Sequence, residues 1–223
     1  MIIPYSLRQV IKDALNVVER HPQHDLPLGY RHGIKAKLGP HLEISQNNAG
    51  HKRRTVLAFL TVQHVLPLWE KARPHDDTPH QILAKVEQVM SSWEAGSLDL
   101  QSVQREAGEF WTYMDNVALE SEGKDPVEVG YAAVEALHTA VADEEFDPSA
   151  IDYNLTDEDV DAYEHDAAFA AAANYAGGAT WEPDSDATKR REFWYWWLTE
   201  AIPAAWWAAW QPKHGKLQYL LAA

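Results

Sequence analysis

Residues 125–141 read DPVEVGYAAVEALHTAV, and their order decides the class of fold. Asp125 suits an N-cap, Pro126 the first helical position, and Glu128 closes a capping box. Val129, Ala133, Leu137, Ala140 and Val141 then recur at the helical period on one side. The stretch before it repeats the plan. Asp99 can open a helix that turns Leu100, Val103, Ala107, Phe110, Trp111, Met114 and Val117 or Ala118 inward.

Further upstream, Thr78 reads as an N-cap, Pro79 as the first helical residue and Gln81 as a capping-box partner. Ile82, Val86, Val89, Met90 and Trp93 make the stripe of that helix, which Gly96 ends. From Thr55 the helical period runs through Val56, Phe59, Leu60, Gln63 and Leu66, and Pro67 is expected to kink or end it. Ser6 can cap a first helix with Leu7, Val10, Ile11, Ala14 and Val18 facing inward. Residues 20–50 read as a long, partly irregular connection, with a small hairpin around Gly39-Pro40 in IKAKLGPHLEI (34–44).

Downstream, 143–156 forms an acidic connector. Thr156 is expected to cap a helix that runs through Val160, Tyr163 and Ala167 to the double stop Gly177-Gly178. A last helix from Asp186 carries EFWYWWLTEAIPAAWWAAW (192–210), with six of the ten tryptophans. Pro203 is expected to break or kink it. The chain therefore reads as all-α, a multi-helix bundle or orthogonal helical array with a Trp-rich C-terminal lobe. It is read as one domain over 1–223, with a second reading that divides 1–143 from an acidic, Trp-rich lobe at 144–223.

Composition narrows the function. With no cysteine, disulfides, thiolate zinc sites and cysteine nucleophiles are excluded. The N-terminal MIIPYSLRQVIKD lacks the pattern of a signal peptide, so a cytoplasmic location is expected. The net charge is −15, and residues 115–186 hold 20 acidic side chains and a single basic one, Lys124. Such a segment repels nucleic acid and anionic membranes and attracts cationic partners, although acids also serve simply to solvate helix faces.

Several constellations invite chemistry. Glu135 and His138 have Glu-x-x-His spacing, but a di-iron bundle needs two copies. With His64 and His80 they are the candidate metal ligands, set against a plainer reading as solvated or partly buried pairs; no metal and no cofactor is expected. Asp157, Asp159 and Asp161 copy the first EF-hand positions, yet Ala162 and Ala168 stand where Gly and Glu are required. His51-Lys52-Arg53-Arg54 reads as local charge at a helix start rather than a nucleic-acid patch. The aromatic stretch cannot be a membrane span with Glu200 and Pro203 near its centre. Some of its rings belong in a core and others at an interface. The partner-binding candidates are therefore Asp157, Asp159, Asp161, Glu164 and Asp166 with Trp181, Trp206, Trp207 and Trp210.

The run HVLPLWEKARPHDDTPHQILAKVEQVMSSWEAGSL (64–98) adds a resemblance. Val65-Leu66-Pro67-Leu68-Trp69 with Glu70, then Asp76-Asp77, then a Pro-started helix ending in Trp93-x-x-Gly96, resembles the all-α immunity proteins of bacterial polymorphic-toxin systems, the immunity protein five type. The likeness extends over roughly 56–142, including the helix around His138. Thr78-Pro79-His80 departs from the Arg-Pro-Arg expected there, and a second histidine downstream of His138 is missing. The resemblance implies a non-enzymatic protein that binds and blocks a cognate toxin made by the same cell. The charge adds that the toxin is cationic. Two other readings stand beside it: a metal-dependent helical-bundle enzyme, and a scaffold that self-associates as a homodimer through the Trp-rich lobe.

Overall fold

The computed structural model describes residues 2–40, 49–93, 99–121 and 126–208. Among them every regular element is a helix. The α-helices are α1 (Tyr5–Arg20), α2 (Leu28–Lys37), α3 (Ala49–Ala72), α4 (Thr78–Ser92), α5 (Leu100–Glu120), α6 (Val127–Val141), α7 (Ala167–Ala176), α8 (Ala187–Trp196) and α9 (Ile202–Ala208). The acidic connector extends beyond 156 to Asp166 and holds short 3₁₀ turns at Asp157–Asp159 and Ala162–Glu164, and a π-helical turn at Trp197–Ala201 joins α8 to α9.

At the centre α3 packs on α6. The latter also meets α4, α5 and α7, while α3 also meets α4, α7 and α9. This explains why α6 is buried almost all round rather than along the single stripe its periodicity suggests: Val127, Gly130, Ala132, Val134 and Ala136 are as hidden as Val129 and Leu137. Its small side chains let four neighbours approach closely. One apolar cluster runs from Leu7 of α1 to Trp206 of α9.

Several boundaries differ from the sequence reading. The first helix begins at Tyr5 behind Pro4, so Ser6 lies inside it. Asp77, not Thr78, precedes α4; the Gln81 side chain donates to the Asp77 carboxylate at 2.7 Å, and Asp76 accepts from the Thr78 amide at 3.0 Å. Asp99 does cap α5, accepting from the Ser102 amide. Asp125 and Gly96 lie outside the described residues, and α6 starts one residue late, at Val127. Helix α3 runs straight through Pro67. Pro67 is solvent-exposed, so the carbonyl that loses its amide partner can be hydrated instead.

The largest departure is at 20–50, where α2 stands in place of a loop. Residues 34–37 are its last turn and not a hairpin strand, and 41–48 lie outside the described residues. Gly29 and Gly33, one turn apart on α2, are the reason the connector can lie across it. A Cβ on Gly29 would fall 1.9 Å from the Asp152 carbonyl oxygen, and one on Gly33 would meet the Tyr153 ring at 2.8 Å. The Gly29 amide also donates to the Leu155 carbonyl at 2.9 Å, satisfying a donor that a helix start leaves open.

The Trp-rich cluster divides by depth. Trp194 and Trp197 are fully buried and meet edge to face at 5.7 Å. Each indole N–H has a partner, Asp25 for Trp194 and the Thr61 hydroxyl for Trp197. Trp196 is half-buried and lies 3.6 Å over the His64 ring. The π-helical turn comes immediately before Pro203, whose missing N–H makes a regular register costly. No helix among the described residues is long and apolar enough to cross a membrane.

Candidate functional site

On α6, Glu128, Tyr131, Glu135 and His138 follow one another at steps of three and four, so they form one polar stripe on an otherwise apolar helix. Trp111 of α5 leans over it, with ring centres 5.2 Å from Tyr131, 6.0 Å from His138 and 5.6 Å from Tyr163 of the connector. A second aromatic group faces the same space from α7. Phe169 stacks on Trp181 at 5.7 Å and 20°, and His165 lies 4.1 Å from Phe169. Gly177 ends α7 in the left-handed conformation that a residue with a Cβ resists, and turns the chain back toward Trp181 and Glu182.

Between these groups runs a groove of about 1020 Å³. Among the described residues its carboxylates are Glu128, Glu135, Glu182 and Asp184, and neither lysine nor arginine lines it. Burial pushes the Glu128 carboxyl above the usual range; His165 opposes this and Glu182 adds to it. Glu128 makes no ion pair or hydrogen bond among the described residues. The Tyr131 hydroxyl donates to Asp115 at 2.7 Å, and burial together with that carboxylate raises the phenol's pKa.

Behind the groove the acidic connector is bolted to α2 and α3. Arg31, wholly buried, sends Nη1 and Nη2 to the two Asp157 oxygens at 2.9 and 2.5 Å, and Nε to Asp166 at 3.1 Å. Lys35 reaches Asp166 at 2.9 Å and Glu144 at 3.5 Å. Arg54 grips Asp143 at 2.7 and 2.6 Å. Burial works against the charge on Asp166, but Arg31 and Lys35 outweigh it and hold its pKa far below the usual range. Asp166 also caps α7 by accepting from the Phe169 amide at 2.8 Å. His165 donates to the Asp157 carbonyl at 3.0 Å, tying the groove wall to this network.

The predicted partner-binding residues thus separate. Asp157 and Asp166 are structural ion-pair members turned inward. Asp159 binds the Thr156 amide and hydroxyl, closing a 3₁₀ turn where the sequence suggested the start of a long helix. Asp161 and Glu164 are exposed beside Ala162, which lines the groove, and Trp181, 48% exposed, forms part of its wall. Trp206 is buried beneath the Arg53 guanidinium, 3.5 Å from its ring centre, whereas Trp207 is 37% exposed. Trp210 lies outside the described residues. The basic run at the start of α3 is turned inward at three of its four positions: Arg53 on Trp206, Arg54 on Asp143, and His51 donating to the Thr139 carbonyl at 2.6 Å.

The four metal candidates fall into three separate settings. His64 is stacked between Trp196 and Tyr175, His80 pairs with Glu70 at 2.9 Å, and Glu135 pairs with His138 at 3.3 Å. Among the described residues no three His, Asp or Glu side chains gather as a metal site would require. Sequence reading overlooked Glu128, taken only as a capping acid, and Trp111, taken as core. The signal that could have found them was the stripe Glu128, Tyr131, Glu135 and His138, whose polarity contrasts with the rest of α6.

A family model described as Immunity protein Imm5 matches residues 11–204. The chain belongs to that family. The Imm5 match is wider than the stretch 56–142 that carries the resemblance in sequence. It takes in α2, the acidic connector, α7, α8 and the first part of α9, so the C-terminal lobe belongs to the Imm5 region as far as residue 204. Every wall of the groove falls within the match. A search of curated proteins returns no match.

Proposed function

We propose that this protein neutralises a cognate protein toxin by binding it, without catalysing a reaction, and that the contact is made through the groove between α5, α6 and α7. One observation carries the reading: among the described residues, aromatic rings and four carboxylates line this groove while no lysine or arginine does. A surface of that kind attracts a cationic partner over distance and speeds its encounter. Exposed tryptophan beside a recess is a frequent anchor of tight interfaces. Asp159, Asp161 and Glu164 extend the negative field beyond the groove, Trp181 supplies its exposed ring, and Trp207 offers another. Asp157 and Asp166 contribute indirectly by holding the connector in place. The partner is then a cationic toxin of the same cell, met in the cytoplasm, and the whole chain acts as one domain.

The test is co-expression with the toxin encoded by the adjacent reading frame. Protection of the host cell, together with a complex that weakens as salt is raised, is the expected result. Absence of protection by the full-length chain overturns the reading.

A further inference from the structure

The groove carries a narrower chemical preference than positive charge alone. Glu128 is half-buried on α6, without a hydrogen bond or ion pair among the described residues, and Glu182 stands near enough to oppose its charge. Of the neighbouring titratable groups, Tyr131 donates its hydroxyl to Asp115 and His165 spends its Nε2–H on the Asp157 carbonyl. A carboxylate so placed gains most from a cation supplied from outside.

The walls specify the shape of that cation. Phe169 and Trp181 present nearly parallel faces, and Trp111 lies within stacking distance of His138 at 11°. Flat rings beside a carboxylate pair suit a planar guanidinium, which stacks and forms two parallel hydrogen bonds. A hydrated ammonium does neither as well. The protein already uses this combination internally, with Arg53 stacked on Trp206 and Arg31 forked onto Asp157. A recess of about 1020 Å³ also exceeds what one side chain fills, leaving space for the segment that bears it.

The geometry points to an arginine side chain of the partner toxin entering between the Trp181 and Trp111 walls, with Glu128 and Glu182 receiving its guanidinium. This rests on the reading that the groove is the toxin-contact face. The test titrates the full-length protein with the blocked tripeptide acetyl-Gly-Arg-Gly-amide and with its lysine and citrulline counterparts. The indole N–H resonances of Trp181 and Trp111, assigned through W181F and W111F, report binding. Saturable shifts with arginine are expected, several-fold weaker binding with lysine, and none with citrulline, which keeps the shape but not the charge. Glu128→Gln and Glu182→Gln each weaken the arginine peptide about tenfold. Glu182 is exposed in a turn, so E182Q decides the matter even if E128Q perturbs folding. Equal response to arginine and citrulline, an unchanged affinity in a folded E182Q, or no saturable shift overturns the inference. The two levels separate in cells. Failure of the unaltered protein to protect ends the neutralising role itself, whereas protection that survives E128Q/E182Q ends only the arginine assignment.

Discussion

Arg31 and Asp157 lie 126 residues apart in the chain and meet inside it as a forked ion pair, with both nitrogens of one guanidinium on both oxygens of one carboxylate. The pair fastens α2 to the connector that forms the rear of the groove. Removing Asp157 leaves the buried Arg31 with Asp166 as its remaining carboxylate partner, and breaking a buried pair in this way typically costs about 3–5 kcal/mol. Asp157→Asn is therefore expected to lower the urea midpoint sharply, and R31M/D157L to recover part of the loss because it removes both charges. A D157N midpoint equal to that of the unaltered protein would show that the pair does not hold the connector.

Gly29 gives a steric counterpart. Alanine is favoured over glycine within a helix by about 1 kcal/mol, so on propensity alone Gly29→Ala should stabilise α2. The added methyl would sit 1.9 Å from a backbone oxygen of Asp152, and overpacking of this kind costs about 1–3 kcal/mol. The clash is expected to win: a lower melting temperature and faster proteolysis within 143–156. An increase in melting temperature would refute the close packing.

The histidine stack sets a pH dependence. Burial lowers the His64 pKa, so the folded protein prefers the neutral ring more than the unfolded chain does. The stability this gives is present above the unfolded value of about 6.5 and declines as pH falls through it toward the lower folded value. His64→Phe, which keeps a ring against Trp196, should reduce the slope of stability against pH in that window. His32, lowered by burial and by Lys35, keeps the slope above zero. Thermal melts across the range decide, and an unaltered slope in H64F would sink the assignment.

Charge on the rim of the groove should act on rate more than on the lifetime of the complex. Asp161 and Glu164 are exposed and make no side-chain hydrogen bond or ion pair among the described residues, so D161K/E164K is expected to leave the fold intact. Stopped-flow mixing with the purified toxin is expected to show slower association at low salt and little difference at high salt, since exposed charges are screened. Equal association rates at low salt would mean that this rim does not face the partner.

How much of this could be read from the sequence depended on the range of the interaction involved. The Asp99 cap, the Gly177 stop, and the inward stripes Ile82-Val86-Val89 and Val103-Ala107-Met114 arise from residues within a turn or two, and they stand as read. Periodicity placed Trp194 and Trp197 on one face, but it left open which of the tryptophans would be exposed, and Trp206, offered there as a binding residue, is buried. What failed was decided by distant partners. Helix α2 is poor in apolar periodicity because its faces serve a glycine contact and a buried arginine, both directed at residues more than a hundred positions away. The connector aspartates looked like solvated charge because Arg31, Lys35 and Arg54 gave no local hint of where they would end up. Pro67 looked like a terminator because its exposure, which makes it tolerable, is settled only by packing.

The connector contains two populations of acidic side chains with different obligations. Asp143, Asp157 and Asp166 are each matched to a cation of α2 or α3, and exchanging any of them damages the scaffold. Glu158, Asp161 and Glu164 are exposed and carry no such debt. The outer letters of this segment can therefore be exchanged without damage to the scaffold, while the inner ones cannot. The same stretch of chain thus serves on its inner side as a brace and leaves its outer side free of any structural duty.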